Sequence, residues 1–348
     1  MGLERTSLGH LMSRLKTVAA ALTAILCCGQ ALAAGHYTGF DPRKGRNLSM
    51  SPGAINAKGD VTATAFDGVN VTFSFIRRKS GGITNIDQPW RLLETHGINA
   101  SKATTGLASE DVGGLEGFIG DAEGHITTFR VAGSGSNGIG TQAKAINDDG
   151  TVTGIWGTDG SNVEQGFVRD SDGMLHLFTA PGAGIRGTLP LALNKDGYAA
   201  GYFKDGDIAQ HGFVRAPDGT FKAIDIPNAV FTRIFCINKK RTTAGIYTDE
   251  QSERGVVRNA RGKVTFFDVP GDMLEVNGIN DKGAVVGSYR GADQNFHGYV
   301  RAADGTLTTL DEPDSINNTF AVAINNSGIV SGTYNDADFT FRGYIWKP

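Results

Sequence analysis

The stretch Ala145-Ile146-Asn147-Asp148-Asp149-Gly150-Thr151-Val152-Thr153-Gly154 decides the fold. Asn, Asp and Gly between β-branched runs spell the end of one strand, a tight turn and the start of the next. The Ile-Asn pair at its heart returns as Ile55-Asn56, Ile98-Asn99, Leu193-Asn194, Ile237-Asn238, Ile279-Asn280 and Ile324-Asn325, at spacings of 43, 48, 47, 44, 42 and 45 residues. Periods in the forties without helical periodicity point to propeller blades rather than paired-helix repeats.

Each unit divides into four strands. In the third, the first strand ends at Asn147 and is followed by Val152 to Trp156, Gly166 to Arg169 and Leu175 to Thr179. Asp172-Gly173, Asp218-Gly219, Arg261-Gly262 and Asp304-Gly305 supply the hairpins between third and fourth strands. Pro181, Pro227, Pro270 and Pro313 mark the crossings to the next unit, where no ladder donor is needed. The seventh unit stops after Gly343-Tyr344-Ile345-Trp346, and Tyr37 to Pro42 matches the missing fourth strand. The expectation is an all-β, seven-bladed β-propeller of four-stranded antiparallel blades, with residues 34–348 as one domain and residues 36–41 closing the ring.

Within the repeat, the residue before each Ile is small: Ala54, Gly97, Ala145, Ala192, Cys236, Gly278 and Ala323. These should face the crowded axis, with Ile turned into the space between blades. Asn can bond its own turn, and Gly three residues on supplies positive φ. Lys102 and Arg241 replace that Gly, which predicts a different turn in the second and fifth blades. Gly106, Gly154, Gly201, Gly245, Gly287 and Gly332 in the second strands should make room for aromatic rings.

Gly is abundant, 49 of 348 residues, and only 20% of residues are charged, as expected for short strands and tight turns. Arg14 and Lys16 precede the apolar run Val18 to Cys28 and the small-x-small motif Ala31-Leu32-Ala33, so residues 1–33 read as a signal peptide and the protein as secreted or periplasmic. The net charge of −3 becomes about −5 once the +2 of residues 1–33 is set aside. No basic excess favours nucleic acid, and no segment is expected to stay in a membrane after cleavage. Cys236 then stands alone and cannot form an internal disulfide. A monomer is expected.

The units small-Ile-Asn-x-x-Gly, Val-x-Gly-x-Tyr, His-Gly-Phe-Val and Thr-Leu-Asp-x-Pro resemble the bacterial extracellular repeats of the HAF family, best in Ala192 to Pro227 and Gly278 to Pro313. The resemblance spans essentially the whole mature chain. It implies a secreted or periplasmic propeller and carries no catalytic motif onto these residues.

His211 and His297 share one repeat position, but Glu116, Gln165, Arg254 and Arg342 hold it elsewhere, so a structural role is expected and no metal or cofactor. Arg77, Arg169, Arg215, Arg258 and Arg301 end third strands and should pair with Asp87, Asp225, Asp268 or Asp311. The loops between second and third strands carry Asp159, Asp205, Asp249, Asp293 and Asp336, which predicts an acidic face. Ligand specificity should sit where the blades disagree near the axis: Glu94, His96, Lys144, Arg233, Glu275 and Asn277. No nucleophile elbow, zinc-protease helix or phosphate loop occurs. The expectation is a non-catalytic binding or scaffold module for a glycan or protein. The alternatives are a lyase or hydrolase acting on a saccharide or lactone at the channel mouth, and a purely structural envelope protein.

Overall fold

The computed structural model describes residues 35–42, 48–66, 72–86, 92–109, 114–136, 138–160, 163–184, 187–206, 209–250 and 252–348. The expected signal peptide lies outside them. Their secondary structure is entirely β, and no helix among them is long and apolar enough to cross a membrane.

Each unit is a consecutive antiparallel meander. In the third, Thr141–Ile146 pairs with Val152–Trp156, which pairs with Gln165–Arg169, which pairs with Leu175–Phe178. Ser49–Ile55, Leu92–Ile98, Thr188–Leu193, Phe231–Ile237, Gly278–Ile279 and Thr319–Ile324 open the other units as inner strands. The last sheet runs Thr319–Ile324, Val330–Asn335, Phe341–Lys347 and then His36–Phe40 from the other end of the chain. That pairing is antiparallel from His36 opposite Lys347 to Phe40 opposite Gly343.

Sheets pack face to face through apolar clusters that mix neighbouring units. Val131 from unit two joins Ala143, Ile146, Val152, Trp156 and Phe167 from unit three, with Phe129 packed against them. Fully burying a ring such as that of Phe167 stabilises the fold by roughly 2–3 kcal/mol. Val286 and Leu310 of unit six likewise meet Ala321, Ile324, Tyr344 and Trp346 of unit seven, with Tyr37 of the first strand beside them.

The repeated Asn joins the units. Its Oδ1 accepts backbone N–H groups of its own turn, as Asn56 does from Lys58 and Asp60 at 3.0 and 2.9 Å. Its Nδ2 donates to the backbone carbonyl of the next unit's Asn: Asn56 to Asn99 at 3.1 Å, Asn99 to Asn147 at 3.1 Å, and Asn147 to Asn194 at 3.4 Å. The series continues from Asn194 to Asn238 at 3.1 Å, Asn238 to Asn280 at 2.9 Å, and Asn280 to Asn325 at 3.1 Å. All seven Asn residues are buried, so each unmade bond would leave a costly polar group.

Three local expectations are corrected. The small residue before Ile faces the neighbouring inner strand, not the axis: a Cβ on Gly97 would lie 3.2 Å from the backbone nitrogen of Ile146. Ile98, Ile146, Ile237 and Ile324 are buried in the clusters between units, as expected, and Ile55, Leu193, Ile237, Ile279 and Ile324 also border an axial hollow of about 230 Å³. Inner-strand backbones converge at this end, so space is shortest between strands rather than at the axis. Lys102 and Arg241 keep the same turn as glycine, with φ of 69° and 57°, and their N–H groups donate to Asn99 and Asn238 carbonyls. Four of the five third-strand arginines lie over rings rather than beside the expected carboxylates, of which Asp87 lies outside the described residues. Arg77, Arg169, Arg215 and Arg301 lie over Phe40, Phe129, Phe178 and Phe267 of the preceding unit's outer strand, at 4.8–5.2 Å.

Candidate functional site at the channel mouth

Six inner strands slip register by one residue at the same place, at Pro52/Ala54, Thr95/Gly97, Ala143/Ala145, Pro190/Ala192, Ile234/Cys236 and Ala321/Ala323. The extra residue of each β-bulge is Gly53, His96, Lys144, Leu191, Phe235 or Val322; Asn277 stands at the matching place in unit six. Bulges re-aim side chains. Here the bulged residue and the one two before it are at least partly accessible, while the residues between them are buried; in unit four Leu189 is buried as well. Second-strand glycines make this possible. A Cβ on Gly106, Gly154, Gly201, Gly245, Gly287 or Gly332 would overlap the carbonyl oxygen of Glu94, Gln142, Leu189, Arg233, Glu275 or Phe320, respectively. The expected aromatic crowding is present as well, from Phe118 at Gly106 and Tyr344 at Gly332, but the carbonyl is the nearer neighbour.

The six candidate residues fall into two cavities rather than one. Glu94, His96 and Lys144 line a cavity of about 470 Å³ with Ser51, Phe66 and Leu191. Arg233, Glu275 and Asn277 line a second of about 440 Å³ with Phe235, Glu253 and Met273.

In the first cavity, His96 Nδ1 donates to the Ala143 carbonyl at 2.7 Å, which turns Nε2 toward Glu94, 3.7 Å away. The neighbouring His96 imidazole holds the Glu94 carboxyl below its ordinary pKa against the opposing effect of burial, and Lys144 adds to the depression. Lys144 Nζ donates to Gln142 Oε1 at 2.9 Å. Burial lowers the pKa of its ammonium, and Glu94 and Glu164 partly restore it. The arrangement offers a fixed imidazole, a carboxylate and an amine to one ligand.

In the second cavity, Arg233 donates from Nε to Gln210 Oε1 at 2.6 Å and lies over Phe231 at 5.2 Å. Burial raises the pKa of Glu253, with Arg233 pulling it back. Burial also raises that of Glu275; Asn277 and Ser288 oppose the shift. Asn277 Nδ2 donates to the Ala321 carbonyl at 3.0 Å. Gln210 and Glu253 come from the residue two before the third-strand glycine, where Glu164, Phe296 and Phe341 stand in other units. Disagreement between repeats at that position was the signal that would have found them.

Other ionisable groups are accounted for structurally. His211 is held between Asp225 at 2.7 Å and Asp205 at 3.3 Å, and His297 between Asp311 at 2.8 Å and Asp293 at 3.1 Å. Arg342 fills the same place between Asp41 and Asp336. Several carboxylates of the expected acidic face are thus engaged by a cation of their own unit. Burial pushes the Cys236 thiol up to about 12, which removes it as a nucleophile. Among the described residues, no group of three or more His, Cys, Asp or Glu side chains is placed to hold a metal.

The chain is similar in structure to streptogramin B lyase, with 11% identity and a TM-score of 0.60 over 89% of this chain and 97% of that one. A catalytically inactive virginiamycin B lyase from Staphylococcus aureus, solved with quinupristin, gives 12% and 0.62 over 90% and 99%. The BP39L lectin from Burkholderia pseudomallei gives 12% and 0.52 over 87% and 98%. No protein-family model and no curated protein matches the sequence. At these identities the likeness establishes architecture: the chain is a β-propeller of four-stranded antiparallel blades.

Proposed function

We propose that this is a secreted or periplasmic, seven-bladed propeller of the HAF type, closed by its N-terminal strand, that binds a glycan or protein ligand at the channel mouth without catalysis. The observation that carries the reading is the bulge. One backbone device, repeated in six units, turns out a different residue in each, from Gly53 and His96 to Lys144 and Phe235, while the Asn, Ile and Gly positions beside it hardly change. Constancy there serves the fold; variety at the mouth serves recognition. Charged groups beside Phe66 and Phe235 suit a ligand with both hydroxyl and apolar faces. The BP39L lectin supports the glycan class by architecture alone. A glycan array probed with the parent, Lys144→Ala and Arg233→Ala tests it. Binding that both substitutions leave unchanged removes the mouth as the site.

A second reading has its own observation. His96, Glu94 and Lys144 share one cavity, and His96 is fixed in orientation by Ala143, as a general acid–base pair requires. A lyase or hydrolase acting on a saccharide or lactone would use them. Turnover of a saccharide or lactone panel that His96→Ala abolishes would favour this reading over a binding module.

A further inference from the structure

Blade six breaks the repeat in its backbone. In blade five, Phe231 pairs with Thr248 and Ile234 with Gly245, so three steps along the inner strand match three along the second. Blades one and two do the same, from Ser49 to Pro52 and from Leu92 to Thr95. In blade six, Glu275 N donates to the Ser288 carbonyl and Asn277 N to that of Val286, which sets Val276 opposite Gly287; Arg290, three past Gly287, pairs with Asp272, which is four steps from Val276. The inserted residue is Met273. It has φ of 47° and is 53% exposed, an unusual conformation for a long side chain left in solvent. Asp272 and Arg290 clamp its base, exchanging both backbone hydrogen bonds and a bidentate side-chain pair at 2.8 and 2.9 Å. Met273 forms part of the wall of the cavity between blades five and six.

We propose that this insertion makes the cavity a site for a small compound that joins an ammonium group to an apolar body, with Met273 lying on the body and Glu275 receiving the ammonium. The inference rests on the mouth-binding reading and names a ligand class for one of its two cavities. Phe235, Ile246, Val276 and Met273 give the cavity an apolar wall. Met is suited to such contacts because its thioether is polarisable and its chain adapts. The charges on the other side do not balance. The Arg233 Nε is bonded to Gln210 Oε1 at 2.6 Å, and Glu275 forms no ion pair with a cation among the described residues. A carboxylate at an apolar wall is stabilised by a counter-charge, and a ligand ammonium supplies one.

The test is calorimetric titration of the whole protein with phenethylamine, phenethyl alcohol and phenylacetate. The amine should bind about tenfold or more tightly than either analogue, and Glu275→Gln should erase that preference. Met273→Gly should weaken the amine several-fold while raising the melting temperature, because glycine accepts the backbone conformation that Met resists. A purely structural Met273 would leave affinity unmoved. Preference for phenylacetate, no binding in any arm, or parental affinity in Met273→Gly would each overturn the inference. Glycan binding that depends on Lys144 would, in those cases, leave the mouth reading standing; failure of both assays would remove both.

Discussion

The Asn325 side chain donates to the backbone carbonyl of Asn56 at 3.1 Å across 269 residues of sequence, completing the series of seven equivalent bonds. It matches the bonds between consecutive blades in length and burial. The same Asn325 accepts from Ser327 and Ile329 in its own turn. One side chain therefore shapes a hairpin with its oxygen and joins two blades with its nitrogen.

That division of labour can be separated by substitution. Asn325→Asp keeps the acceptor and removes the donor, leaving the buried Asn56 carbonyl without that bond. The expected loss is about 1–3 kcal/mol in urea unfolding. Asn280→Asp should cost about as much, because the bond from Asn280 to Asn325 has the same length. A much smaller loss for Asn325→Asp would mean that the first and last blades are held together by other contacts.

The N-terminal strand should matter as much as any internal one. Arg342 reaches Asp41 at 3.1 Å, and Arg77 lies over Phe40 as Arg215 lies over Phe178. Deleting residues 34–42 exposes the edge of Phe341–Lys347 and should lower the melting temperature markedly, with aggregation as a second symptom. Phe40→Ala is the milder version, expected to cost about 3 kcal/mol. A deletion variant as stable as the parent would refute closure by this strand.

The spacing of Ile-Asn pairs made the units, their four strands and the match between chain ends legible, because hairpins and repeats are local signals. The mouth was only partly legible. Glu94 and His96 share a cavity because a bulge sits after Thr95, and register is a property of two strands, not one. The signal was nevertheless present in the second-strand glycines, read as space for rings when a carbonyl is the closer neighbour. Met273 was invisible for the same reason: one inserted residue among spacings of 42 to 48 does not stand out.

Lys102 gives the plainest test of a misread turn. At φ of 69° it holds the conformation that Gly59 and Gly150 hold without a side-chain penalty. Lys102→Gly should stabilise the protein by roughly 1 kcal/mol, the strain relieved exceeding the entropy that glycine adds to the unfolded chain. Arg241→Gly should gain less, since Arg241 lies over Tyr198 at 5.2 Å and loses that contact. Thermal unfolding of both variants decides the ranking.

His211 and His297 should make stability depend on pH. Burial of each ring disfavours the charge, but hydrogen bonds to two aspartates outweigh it, so both pKa values are held above the ordinary value. The rings also stack on Phe203 and Tyr289. With the folded pKa raised, folding binds protons. The stabilisation is full below the unfolded value of about 6.5 and is lost as pH rises through the folded value. Replacing both with Asn should therefore cost most near about pH 5.5 and progressively less toward pH 9. Arg254 and Arg342 already hold this position in blades five and seven, Arg254 donating to Asp268 at 2.8 Å. The His211→Arg, His297→Arg double variant should keep its stability at alkaline pH and flatten the profile. A profile unchanged in the double Asn variant would place the pH dependence in other groups.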